Sequence, residues 1–294
     1  MPGLALKIDV DTLRGTQEGV PNLLRLLDKY QARATFLFSL GPDHTGWAIR
    51  RAFRPGFFSK VQRTSVISHY GLKTLMYGTL LPAPDIGQRT QGIMRAVRDA
   101  GHEVGIHTWD HVLWQDNVRQ RDGDWTHRQM QQAFDRFVDI FGAPPSTHGA
   151  AGWQMNDHAF ACLDQFGLRY ASDTRGGTPF VPVIGGQRLT CVQLPTTLPT
   201  LDEIIGVDDM DETAAACFVL ARTAHRQANQ VFTLHAELEG MKLAPQFEQL
   251  LQGWQAQGFH LQTMAQSFAD LRAAPEHRVP RWETLPGRSG DVMV

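Results

Sequence analysis

Short apolar, β-rich runs alternate with amphipathic helical runs along most of the chain, and no other feature restricts the fold as much. Residues 4–10 read as a buried strand. Residues 20–30 follow as a helix, with Val20, Leu23, Leu24, Leu27 and Tyr30 along one side and Pro21 near its start. Residues 34–40 form a second strand, residues 91–100 a helix stopped by Gly101, and residues 102–107 the next strand. Residues 125–141 carry Met130, Phe134, Phe137, Val138 and Phe141 at helical spacing. Further strands are expected at 168–172, 189–194, 231–235 and 259–261, with helices at 212–227 and 245–256. Such alternation without a linker implies parallel strands joined by crossover helices. One α/β domain over residues 1–275, a distorted (β/α)7-type barrel, fits 294 residues better than two small domains. Residues 276–294 are left as a C-terminal tail, loose from Pro286 onward.

Bulk properties narrow the function. A hydrophobic fraction of 42% with 20% charged residues is that of a soluble globular protein with a sizeable core. A formal charge of −2 gives no global pull toward nucleic acid. Three cysteines, Cys162, Cys191 and Cys217, with no C-x-x-C spacing argue against a disulfide framework and a cysteine zinc site. No uncharged apolar stretch reaches the roughly 18 residues of a membrane span. Lys7 and Asp9 interrupt the opening segment too early for a signal peptide, so a cytoplasmic location is expected.

One segment departs from the alternation. Residues 46–84 form a connection far longer than usual. They hold Arg50, Arg51, Arg54, Lys60, Arg63 and Lys73 with no acidic residue between Asp43 and Asp85. Trp47, Phe53, Phe57, Phe58, Tyr70, Leu72, Leu75, Met76, Tyr77, Leu80 and Leu81 are interleaved with these cations. A basic, aromatic-rich amphipathic stretch suits an anionic bilayer interface; a solvated basic loop or a contact between copies of the chain is the plainer alternative.

The chemistry-bearing residues fall at strand ends, where barrels of this class keep their function. Asp9 and Asp11 close the first strand on one face, since strand side chains repeat every two residues. His107 and His111 stand four apart, a spacing that on a helical turn puts both imidazoles on one face. Twelve histidines in 294 residues would supply about half of one such pair by chance, so the pair counts only in company. A carboxylate with two histidines leaves coordination positions open for water, as a catalytic metal requires. His235 ends another apolar run, and Asp173 follows a strand in Ser172-Asp173-Thr174-Arg175.

Together these motifs resemble the polysaccharide deacetylase (NodB-homology) family, over roughly residues 4–270. Asp9-Val10-Asp11, His107-Thr108-Trp109-Asp110-His111, the Asp173 loop and Leu234-His235 occur in the family's order. The resemblance implies that Asp9 is the general base and that Asp11, His107 and His111 hold one divalent metal. It implies further that His235 is the general acid and that Asp173 orients or tunes it. Zinc is the first choice of metal, with manganese, cobalt or nickel also suited to such a donor set. The family's third motif carries an arginine that braces the base; here Ala143-Pro144-Pro145-Ser146-Thr147-His148-Gly149 has none, and His148 is the candidate to replace it.

Narrower features resemble one branch of the family: Asp9 through Thr16, His148 through Gln154, and Thr233 through Gly240. That branch implies hydrolysis of a formamide on an undecaprenyl-phosphate-linked amino sugar at the cytoplasmic face of the inner membrane, serving lipid A modification. His148, Trp153 and Arg175 are then candidate substrate contacts, with Arg175 toward the phosphate. An N-deacetylase of another amino sugar and, from a different class, an iron(II)-dependent oxygenase are the alternatives.

Overall fold

The computed structural model describes residues 2–48, 71, 73–224, 228–272, 274–288 and 290–294. Of the 46–84 insertion, Arg50, Arg51, Arg54, Lys60, Arg63, Phe53, Phe57, Phe58, Tyr70 and Leu72 lie outside the described residues.

The first strand, β1 (Gly3–Val10), is buried along its entire length. Leu4, Leu6, Ile8 and Val10 join the main core with Val20, Leu23, Leu26 and Leu27 of the helix Val20–Lys29. A strand covered on both faces reads as a nearly continuous apolar run, which is why 4–10 is visible in the sequence. β2 (Thr35–Ser39), β3 (Glu103–Thr108), β4 (Thr147–His148) and β5 (Tyr170–Ala171) follow in parallel register. β6 (Phe180–Ile184) and β7 (Gln187–Arg188) form an antiparallel hairpin absent from the sequence reading. β8 (Val192–Gln193) lies parallel to β5, and β9 (Gln230–His235) pairs with β1. β10 (His260–Gln262) pairs with the opening residues of β1.

The row β9-β1-β2-β3-β4-β5-β8 thus contains seven parallel strands. The segment after β8 reaches back to β9: the Thr197 and Leu198 N–H groups donate to the Val231 carbonyl at 3.1 and 3.3 Å. This is the distorted α/β barrel expected from the alternation.

Two expectations change. The helix expected at 91–100 begins earlier, at Ile86, because Asp85 caps it by accepting from the Gln88 N–H at 2.8 Å. The tail is not loose. β11 (Glu276–Arg278) pairs with β6, while β12 (Trp282–Thr284) and β13 (Asp291–Met293) form an antiparallel pair. Val292 and Met293 are buried, and the Met293 carbonyl accepts from the Arg175 N–H. Two apolar side chains in a polar stretch are a weak sequence signal; what holds them is the surface they meet.

Candidate active site

β1 directs Lys7 and Asp9 to the same face while its alternate residues enter the core. Asp9 is the register partner of His235 on β9, so residues from opposite ends of the chain stand side by side. Asp9 Oδ2 accepts from Lys7 Nζ at 2.8 Å. Its Oδ1 is buried, makes no hydrogen bond, and lies 3.7 Å from His107 Nδ1.

Asp11 sits just past β1, its N–H held by Glu237 Oε1 at 3.1 Å. Its Oδ1 is 3.2 Å from His107 Nε2 and its Oδ2 is 3.4 Å from His111 Nε2. The two imidazole rings lie 5.3 Å apart, 28° from parallel. They do not share a helical turn, as the spacing suggested. His107 belongs to β3 and His111 opens the helix His111–Asn117. The chain is extended at Asp110, which caps that helix by accepting from the Leu113 N–H at 3.0 Å. Asp110 also meets His44 Nδ1 at 2.5 Å.

His107 Nδ1 faces the Gly149 carbonyl at 2.5 Å. A carbonyl only accepts, so Nδ1 carries the proton and Nε2 turns an unprotonated lone pair toward Asp11. That explains why the buried Asp11 Oδ1 makes no hydrogen bond despite its nearness to Nε2. Burial works against an ionised Asp11, yet the neighbouring His111 foremost holds its carboxyl well below the usual range. One ligand atom from each of Asp11, His107 and His111 lies within 4.8 Å of the others. The orphaned carboxylate oxygen and the two converging nitrogens fit one divalent metal ion.

His235 is partly exposed, but its Nδ1 is buried and makes no hydrogen bond. Burial pulls this imidazole down; Asp202, then Asp11, Glu239 and Asp9, outweigh that and push it up to about 9. Glu239 accepts from the His235 N–H at 2.8 Å, and burial raises its own carboxyl to about 7. Glu237 accepts from Thr12 N–H and Oγ1, both at 2.8 Å, tying the end of β9 to the end of β1. Burial, with the charge of Asp11, pushes Glu237 up to about 8.

Asp173 lies elsewhere in the network than the resemblance implied. Its Oδ1 accepts from His148 Nδ1 at 2.6 Å and from the Ala150 N–H at 2.8 Å. Its Oδ2 accepts from Gln193 Nε2 at 3.0 Å, and its own N–H donates to Gln193 Oε1. These bonds join β4, β5 and β8 rather than orienting His235, whose strongest charged neighbour is Asp202. His148 is consequently engaged by Asp173, and the cation on Asp9 is Lys7. Trp153 is 1% exposed and donates from Nε1 to Thr196 Oγ1 at 3.1 Å. Arg175 is buried, paired with Glu203, and bonded to the Leu198 carbonyl at 3.2 Å. Neither side chain is turned out toward a ligand: Arg175 and Arg288 flank the Trp153 ring at 4.8 and 4.6 Å.

Lys7, Asp202, Glu237 and Glu239 are the neighbours of the site that sequence reasoning did not single out. A lysine within a fully apolar strand was the available signal, because a buried ammonium requires a partner.

A parallel α/β barrel with Asp-His-His donors beside a carboxylate and an imidazole at its strand ends is the architecture of a deacetylase-type hydrolase. Residues 4–171 match the polysaccharide deacetylase family, and the chain belongs to it. It is accordingly an enzyme that hydrolyses a carbon–nitrogen bond other than a peptide bond, which sets aside the oxygenase alternative. Over 248 residues it is 37% identical to a Shewanella sediminis protein named for 4-deoxy-4-formamido-L-arabinose-phosphoundecaprenol deformylase activity, ArnD; 84% of this chain and 80% of that protein are covered. A Wigglesworthia glossinidia brevipalpis protein of the same name is 30% identical over 279 residues, covering 94% of this chain and 96% of the relative. Among solved structures, a Mycobacterium smegmatis protein described as a polysaccharide deacetylase shares the fold, with a TM-score of 0.64 at 17% identity, covering 96% of this chain and 94% of its own.

Proposed function

We propose that the chain hydrolyses the formamide of undecaprenyl-phosphate-linked 4-deoxy-4-formamido-L-arabinose, releasing formate and the free amino-sugar lipid used in lipid A modification. The names of the two relatives supply the substrate. The observation that carries the chemistry is the register pairing of Asp9 with His235 beside the Asp11, His107 and His111 cluster.

An amide resists water because its carbonyl is resonance-stabilised and its amine is a poor leaving group. A divalent ion, zinc in this reading, supplies polarisation of the carbonyl and a lowered pKa for bound water. Asp11, His107 and His111 hold that ion. Asp9 uses Oδ1, the oxygen not occupied by Lys7, to take the proton of the attacking water. Protonated His235 donates to the departing nitrogen as the carbon–nitrogen bond breaks. The water oxygen and one of its protons thus end in formic acid, which ionises to formate. The other water proton passes to Asp9, and the sugar leaves as an amine carrying the proton from His235.

The substrate's polyprenyl tail stays in the bilayer, so the enzyme must reach the head group. In this reading the 46–84 insertion docks on the anionic cytoplasmic face of the inner membrane. Leu80, within this insertion, is 81% exposed. No helix among the described residues is long and apolar enough to cross a membrane. The test is an assay of the metal-loaded enzyme on formylated and acetylated lipid-linked amino sugars. Formate release with little acetate release is expected; turnover of the acetylated lipid alone would make the chain a deacetylase instead.

A further inference from the structure

We propose that Lys7 is the positioning residue for Asp9, bracing from within β1 the carboxylate that the arginine-free stretch around β4 leaves unheld. The inference rests on the reading of Asp9 as the base.

Lys7 exposes none of its surface, and its ammonium sits 2.8 Å from Asp9 Oδ2. Asp9 is its only ion-pair partner among the described residues. The ammonium also lies 5.1 Å from the centre of the Trp153 ring, which shields it with an electron-rich face. Taking an ammonium out of water is costly unless its partner is well placed, so this lysine was not accommodated incidentally. Room for it depends on Gly149. A Cβ there would stand 2.8 Å from Lys7 Cε and 2.3 Å from Leu37 Cδ1, so a side chain would have to push the lysine and the leucine aside. The same glycine's carbonyl holds His107 Nδ1, so one backbone position serves both the histidine and the lysine.

The consequence for Asp9 is directional. With Oδ2 capped, the carboxylate plane is fixed and Oδ1 alone is left without a hydrogen bond. The two oxygens are inequivalent before any substrate arrives. Lys7 itself reaches neither solvent nor substrate, so it acts only through Asp9. Spacing makes the arrangement possible: residues two apart on a strand share a face, and an extended lysine spans the gap. His148, the residue expected to brace the base, is bound to Asp173 instead.

A double-mutant cycle on the metal-loaded enzyme tests this, using Lys7→Met, Asp9→Asn and the two combined. Lys7→Met should lower kcat by about 10²-fold, the scale of a misplaced acid–base group, with KM and bound metal little changed. The combined variant should be no slower than Asp9→Asn alone, because a residue acting only through Asp9 has nothing left to position. A wild-type kcat in Lys7→Met, or losses that multiply in the combined variant, overturns the proposal and leaves Lys7 a structural ion. Near-normal turnover in Asp9→Asn would instead overturn the base assignment, a separately readable result. Should Lys7→Met fail to fold, Lys7→Gln keeps a polar group of similar reach and reads the same quantities by the same criteria.

Discussion

The two halves of the barrel are built differently. β9, β1, β2 and β3 are five to eight residues long and paired through extended registers, with one shift between β2 and β3 at Phe38 and Ser39, and they carry Asp9, His107 and His235. β4, β5 and β8 are two residues each, and a side-chain network centred on Asp173 joins them where backbone ladders are too short. A long ladder fixes a side chain's direction through many backbone hydrogen bonds, so its polar residues can be left partly unsatisfied for chemistry. A two-residue strand offers no such support, and there His148, Asp173 and Gln193 bond to one another. Asp9 Oδ1, Asp11 Oδ1 and His235 Nδ1 are orphaned, whereas both Asp173 oxygens are occupied.

The contrast predicts opposite outcomes for polar substitutions in the two halves. The largest effect belongs to the metal cluster. The His107→Ala, His111→Ala double variant should lose bound metal and, with it, more than about 10³-fold in activity, since a Lewis acid contributes several kcal/mol at tenfold per 1.4. Full metal content by elemental analysis in that variant would remove the cluster from the chemistry. Next come Asp9→Asn and His235→Ala, each expected to lower kcat by at least about 10²-fold while metal content and unfolding midpoint stay near wild type. Wild-type turnover in either one would strike that residue from the mechanism.

In the short-strand half the loss should appear as stability. Asp173→Ala leaves His148 and the Ala150 N–H without their buried partner, and about 3 kcal/mol of folding free energy should disappear in denaturant unfolding. The folded enzyme should keep more activity than Asp9→Asn. Should Asp173→Ala instead unfold like wild type yet lose activity as Asp9→Asn does, the division between the halves is wrong. The smallest effect concerns the insertion after β2. Reversing Arg50, Arg51 and Arg54 to glutamate should weaken binding to anionic vesicles, because each such cation contributes up to about 1 kcal/mol near the surface. Hydrolysis of a short-chain soluble analogue should continue in that variant. Unchanged sedimentation with vesicles would leave 46–84 an ordinary loop.

Much of the long-strand half was legible in the sequence. A strand buried on both faces is an uninterrupted apolar run, and the polar residues that end it stand out, which is how Asp9, Asp11, His107 and His235 were found. The short strands were legible only as vague apolar patches: residues 168–172 shrank to Tyr170–Ala171 and residues 189–194 to Val192–Gln193. β11 was missed because its partner, β6, is far away in sequence; β12 and β13 pair with each other, but each is three residues long in a largely polar stretch.

The sequence by itself determined which residue types could perform the chemistry and that they would sit at strand ends, because period-2 and period-3.6 patterning is a local property of the chain. That His107 ends a strand while His111 opens the following helix was not legible in the four-residue spacing. Which cation meets which carboxylate was decided only by the tertiary structure. Lys7 on Asp9, His148 on Asp173, Arg175 on Glu203 and Asp202 toward His235 depend on strand register and on where Gly149 leaves room. Charge pairing in a buried interior is chosen by distances of a few ångströms between segments that are remote along the chain, and local spacing carries no record of those distances.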